Sequence, residues 1–147
     1  MSDTSPTSSD IETARRELLA IHAADRAAHF ATDPAALIAP QSEPFITVRD
    51  GAIDEVTREA SLQRFTGYFA GATYDEWDDL QPPIVQVAQD GSIGWMITRT
   101  KVRRTQADAD GNVREQAFVY AGIMTYERRA GGWVRTANVS TFAAVSP

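Results

Sequence analysis

Both histidines of the chain fall in one short stretch, "IHAADRAAHFATD" (residues 21–33), as His22 and His29 with Asp25 and Arg26 between them. Imidazole is the side chain that exchanges a proton near neutral pH, and a carboxylate beside it fixes its orientation and raises its pKa. At about 100° of rotation per residue, Ile11, Leu18, His22, Asp25 and His29 share one helical face with Arg15 and Arg26. Ala20, Ala24, Ala27 and Ala31 line the opposite side, with Ala23 at its edge. The stripe passes from apolar to polar along its length, which suits a helix buried in a core at one end and lining a pocket at the other. On that reading His29 or His22 transfers the proton, Asp25 orients it, and Arg26 helps to hold a substrate oxygen. The opposing reading is a solvated face. Asp25 and His29 then form an ordinary i,i+4 pair, His29 complements the negative end of the helix dipole, and the same imidazole ties to Asp33.

A second set of polar groups stands near the C-terminus. Asn138 and Ser140 interrupt an otherwise apolar strand, and a buried amide or hydroxyl left without a partner costs about 1–3 kcal/mol. A ligand oxygen is one such partner; a neighbouring backbone group or Arg26 is another. Thr98, on a strand that brings it to the same face, completes the candidate substrate-binding set. "YDEWDDL" offers four carboxylates, for which cross-strand ion pairs with the "RTKVRR" ladder are the expected role. "DADGNVREQ" has neither the glycine nor the terminal acid that a calcium loop requires, so it reads as a turn. No nucleophile elbow, phosphate-cradling glycine loop or His-x-x-x-His spacing occurs, and neither a metal nor a cofactor is expected.

The elements that must position these residues are legible from caps and periodicity. A chain of 147 residues is one ordinary domain, and with no cysteine it holds neither a disulfide nor a thiolate metal site. A net charge of −6 argues against a nucleic-acid partner, and no apolar run approaches the length of a membrane span. The opening "MSDTSPTSSD" lacks the basic and apolar segments of a signal peptide, which makes a cytoplasmic location the expectation. Residues 1–8 read as a flexible tail and 9–147 as a single domain. Ser9 and Glu12 read as a capping box opening a first helix from Asp10 to Ala31. Asp33-Pro34 starts a short second helix, Asp50-Gly51 turns a hairpin, and Thr57 caps a third helix closed near Gly71. Strand patterns fill the rest, giving an α+β order with three helices on one side of a curved, mainly antiparallel sheet. If every turn is tight, Ala121 pairs with Ser140, Ile123 with Asn138 and Val119 with Phe142. The same register puts Trp95, Ile97, Phe118, Tyr120, Met124, Tyr126 and Trp133 on the other face with Arg99, Lys101, Arg103 and Arg135. That broad aromatic face, with arginines at its margin, predicts a homodimer formed through the sheet.

This order, from about Ile11 to Val145, resembles the SnoaL-like branch of the nuclear transport factor 2-like superfamily, as do the phrases "AHFATDPAALIA", "FITVRDGAI", "YDEWDD" and "GGWVRTANVSTF". The resemblance implies a cone: a bent sheet wrapped around the first helix, with an internal cavity. It implies no single activity, since the family holds isomerases, epoxide hydrolases, polyketide cyclases, dehydratases and non-catalytic binding modules. Steroid-isomerase-like members carry a carboxylate base on the strand after the second helix. Here that strand reads "PFITVRD", and its only carboxylate, Asp50, belongs to the turn. Two readings follow. One is a pocket for a small, largely apolar, oxygenated molecule, with or without proton transfer of the isomerase, dehydratase or hydrolase kind at His29 and Asp25. The other is a non-catalytic dimeric interaction domain of the same fold.

Overall fold

The computed structural model describes residues 7–145. Helix α1 runs Ser8–Ala31, α2 Pro34–Ile38 and α3 Arg58–Phe69, and seven strands accompany them. These are β1 (Gln41–Arg49), β2 (Ala52–Val56), β3 (Ala72–Asp79), β4 (Ile84–Val87), β5 (Ile93–Ala107), β6 (Val113–Arg129) and β7 (Gly132–Ala144). The sheet order is β2-β1-β7-β6-β5-β3, with β4 sharing the β5 edge, and every pairing is antiparallel except β1 with β7.

Helix α1 begins earlier than its Ser9–Glu12 pattern suggests. Thr7 is the N-cap, its hydroxyl accepting from the Asp10 amide while the Asp10 carboxylate accepts from the Thr7 amide. The reciprocal geometry of a capping box works with Asp as with Glu, so the earlier of two overlapping signals prevails. Of residues 1–8, read from the sequence as a tail, Ser8 is the first residue of the helix and Thr7 its cap, while residues 1–6 lie outside the described residues. Asp33 and Thr57 cap α2 and α3 as expected, and Gly71 adopts a φ of +69° just beyond α3.

The inward face of α1 is the mixed stripe. Ala14, Leu18, Asp25, Ala28 and His29 are buried, whereas Ala20, Ala23, Ala24, Ala27 and Ala31 face outward. Two apolar clusters flank this helix inside the curved sheet. One holds Leu18, Val85, Met96, Met124, Tyr126 and Trp133 around the first half of α1, and the other holds Ala28, Leu37, Phe69, Tyr74 and Val102 around its end.

The register of β6 with β7 corrects the face assignment. Near the turn the pairing is the expected one, with Arg128 opposite Trp133 and Tyr126 opposite Arg135. Thr136 is then an extra residue: Thr125 pairs with Ala137, and beyond that bulge every partner moves by one. Asn138 consequently faces Met124, Ser140 faces Gly122 and Phe142 faces Tyr120. Because a one-residue slip exchanges the faces of the strand beyond it, Asn138, Ser140 and Phe142 join the face of Phe118, Tyr120, Met124, Tyr126, Trp133 and Arg135. The packing of α1 against that face makes it the concave interior, not the outer surface. Val119, Ala121 and Ile123 take the convex face instead. A second bulge, at Asp75 in β3, turns both Tyr74 and Trp77 inward.

Candidate functional site

Between the two apolar clusters the concave face encloses a cavity of about 810 Å³. Its walls are largely apolar, from Leu37, Phe45, Phe65, Trp77, Phe118 and Met124. Exposed Arg49, Asp50, Asp54 and Arg64 lie toward solvent, from the β1–β2 hairpin and α3. The inner polar groups include His22, Asp25 and His29 from α1, Thr98 and Thr100 from β5, Tyr120 from β6, and Arg135, Asn138 and Ser140 from β7. The structure thus brings together six of the seven residues singled out by sequence. Arg26 is the exception: its side chain is half exposed, lies over the Phe30 ring, and donates to the Trp77 carbonyl at 2.8 Å and to Asp78 at 3.3 Å. It braces β3 against α1 from outside and does not reach the cavity.

Within this set the partnerships differ from the expected ones. The Asp25 carboxylate does not orient an imidazole; it pairs with the buried Arg135 guanidinium, whose Nε also donates to Tyr126 Oη at 3.2 Å. Burial pushes the Asp25 carboxyl up, and Arg135 pulls it back. Burial opposes the charge of Arg135 in turn, but Asp25 and the Tyr126 hydroxyl more than offset it, so the guanidinium is held above its usual value. His22 is anchored by Asp79, with Nε2 at 2.9 and 3.0 Å from the two carboxylate oxygens. Thr100 donates to the same carboxylate at 3.4 Å.

His29 Nδ1 lies 2.7 Å from the Asp25 backbone carbonyl, and a carbonyl only accepts, so Nδ1 carries the proton. Nε2 is left as an acceptor without a partner among the described residues. The ring stacks on Trp77 at 3.7 Å between centroids, and Phe69 and Tyr74 meet it edge-on, each at 5.4 Å. Burial brings its pKa down to about 4, against the Asp25 carbonyl and with help from the charges of Arg135 and Arg104. The shift runs opposite to the carboxylate-assisted rise expected from the sequence. His29 is a neutral, desolvated base across the neutral range.

Asn138 answers its own buried amide in part: Oδ1 accepts from the Tyr120 hydroxyl at 2.8 Å. Burial drives the Tyr120 phenol up to about 12, so it remains a donor at any physiological pH. Gly122 makes room for it, since a Cβ there would stand 2.5 Å from the Tyr120 oxygen. Gln41 Oε1, Gln116 Oε1 and Trp77 Nε1 are buried without a protein partner, and all three residues line the cavity. Sequence reasoning missed Tyr120, Arg135, Gln41 and Gln116 as wall residues, and Asp79 as the partner of His22. Tyr120, Gln116 and Arg135 lie on the face that carries the aromatic residues, which only the packing of α1 reveals as the inner one, while the Asp75 bulge decides which way Asp79 looks. Of the "YDEWDDL" carboxylates only Glu76 pairs across strands with the basic ladder, at 3.7 Å from Lys101; Asp78 and Asp79 turn to α1. Among the described residues no group of three or more potential ligating side chains gathers as a metal site would require.

No known family profile and no curated protein matches the chain. Solved structures do. A ketosteroid isomerase-like protein from Erwinia carotovora atroseptica aligns over 90% of this chain and 97% of its own, at 17% identity and a TM-score of 0.63. A provisionally named dehydratase of the nuclear transport factor 2-like family from Streptomyces avermitilis aligns over 91% and 99%, at 14% identity and 0.65. A nuclear transport factor 2-like protein with a cystatin-like fold from Novosphingobium aromaticivorans aligns over 92% and 85%, at 18% identity and 0.63. The chain therefore has the nuclear transport factor 2-like, cystatin-like fold, an α+β domain with helices held in a curved, open, mixed sheet. At such identities the likeness is one of architecture, and chemistry has to be argued from the cavity.

Proposed function

We propose that this chain is a SnoaL-like protein that binds one small, largely apolar, oxygenated molecule in its internal cavity. The observation that carries this reading is the cavity itself: about 810 Å³, with apolar walls, and with hydrogen-bonding groups held in fixed positions by buried partners. Sites of this volume and lining are typical of small-molecule recognition. His29 Nε2 is a free acceptor among the described residues, and Asn138, Ser140 and Thr98 are the groups placed to hold a ligand oxygen. Proton transfer of the isomerase or dehydratase kind is the catalytic extension of this reading, with His29 as base and Asp25 supporting it through its backbone carbonyl and its pairing with Arg135. Titration with 1-tetralone, a neutral bicyclic ketone, followed by NMR, tests the binding. The Trp77 indole and His29 ring signals shift saturably, and Phe118→Trp, which fills the cavity, weakens binding about tenfold or more. Absence of any saturable shift at cavity residues would sink the proposal.

We also infer a homodimer through the convex sheet face, on an apolar set that shares only Ile97 with the one the sequence pattern suggested. Ile46, Val48, Ile53, Ile97, Ile123 and Val139 stand on that face, and four of these six large side chains are exposed. A contiguous exposed apolar surface of this kind is unusual on a monomer. Sedimentation velocity should return a dimer, and Val139→Asp should return a monomer with 1-tetralone binding retained. A wild-type monomer at tens of micromolar would overturn this inference.

A further inference from the structure

Arg104 is the cation in the interior for which the structure supplies no counter-ion. It is 1% exposed, and among the described residues no carboxylate lies within ion-pair distance of it. Its guanidinium donates to Tyr74 Oη at 3.0 Å and to the Tyr68 carbonyl at 2.8 Å. It sits 3.8 Å above the Tyr68 ring and 5.2 Å from the Tyr74 ring. Ring faces and carbonyl dipoles soften the cost of burying a charge without neutralising it. Its Nε, and Gln116 Oε1 on the residue directly opposite in β6, are both buried without a partner. Tyr68 and Gln116 are also cavity-wall residues, so the uncompensated charge lies one aromatic ring behind that wall. The other buried cation, Arg135, is answered by Asp25. Asp75 and Glu115 share a small cleft with Arg104 but are exposed and outside ion-pair distance of it. Solvent therefore screens them more than the buried guanidinium, whose charge acts on the cavity through a low-dielectric wall.

We propose that the cavity takes its ligand as an anion, a carboxylate or an ionised enol or phenol, whose charge is answered through the wall by Arg104. This rests on the reading of the cavity as a small-molecule site and names the ligand class for it. Arg104 is a specificity-determining residue in this role and not a catalytic one, because Tyr68 and Gln116 stand between it and the ligand. The same field favours any step in which negative charge develops on a ligand oxygen, as when a neutral base removes a proton from carbon.

Two isosteric probes isolate the charge: 1-naphthoate and 1-naphthamide, titrated by NMR into the full chain and followed at the Trp77 indole and His29 ring. Wild type should bind the acid about tenfold more tightly than the amide. Arg104→Met should remove that preference with amide binding unchanged, and Arg104→Lys should keep most of it. Should Arg104→Met not fold, Arg64→Ala decides the matter, because Arg64 is an exposed cavity-lining cation without a carboxylate partner among the described residues. A preference that survives Arg64→Ala supports the buried charge, and one lost with Arg64 overturns it. Equal affinity of wild type for both probes sinks the anion inference alone. Failure of both to bind removes the cavity reading and this inference with it.

Discussion

Asp25→Asn lowers stability by about 3–5 kcal/mol, because it strips the counter-ion from a guanidinium that is only 4% exposed. At this chain length that amounts to a fall in melting temperature of about 10 °C or more. The stability belongs to the match and not to the ions themselves. A buried ion pair replaced as a unit by apolar side chains is often neutral or better, so Asp25→Leu combined with Arg135→Met should recover most of the loss. Thermal melts of the two single variants and the double variant form the necessary cycle. Additive losses in the double variant would show that the two side chains are not coupled. Such a result would remove the ion pair from any account of how the cavity is held open. The cycle also separates structure from ligand binding: the double variant keeps the fold while taking two polar groups out of the cavity lining.

The second large effect is a pH dependence carried by His29. Its pKa is about 4 in the folded chain, against an ordinary value of 6.5. Between those two values the unfolded chain holds the proton and the folded chain does not, so acidification favours unfolding. The contribution is fully present above pH 6.5, declines as the pH falls through this window, and is exhausted below about 4. The whole effect amounts to about 3 kcal/mol, at 1.36 kcal/mol for each unit of difference. Chemical denaturation at pH 7 and at pH 4.5 gives wild type a larger loss than His29→Gln, by about 2–3 kcal/mol. Carboxylates elsewhere contribute equally to both proteins and cancel in the comparison. An identical loss in the two would place His29 in contact with bulk water and end its candidacy as a desolvated base.

Much of this arrangement was legible in the residues, and the part that was not has a definite physical cause. Caps and turns are local signals, and Asp33, Asp50-Gly51, Thr57 and Gly71 mark the ends of their elements as the patterns predict. The α1 stripe was legible as a stripe, but periodicity alone cannot tell a face turned toward a cavity from one turned toward water. The exposed alanines on the other side settle that only once the sheet is seen to wrap the helix. Partners were less legible than positions. His22 and Asp79 are 57 residues apart and Asp25 and Arg135 are 110 apart, so no local spacing links them. The faces of β7 could not be read without the extra residue at Thr136, because turn geometry fixes register only as far as the first irregularity.

That extra residue also bears on how such a domain can change over time. Arg135 and Asn138 differ in parity along β7, and an unbroken strand would send one of them into the interior and the other to the outer surface. Thr136 lets both look inward, its hydroxyl tied to Thr125 at 2.7 Å. With every residue retained and the bulge smoothed into regular strand, Val139, Thr141 and Ala143 would replace Asn138, Ser140 and Phe142 in the interior. Removal of Thr136 itself would instead leave Arg135 and Asn138 two positions apart on the same face. A lineage can therefore alter its ligand by replacements beyond the bulge without disturbing the layer that holds Arg135, and of the length changes open to β7 the one at Thr136 keeps both faces as they are.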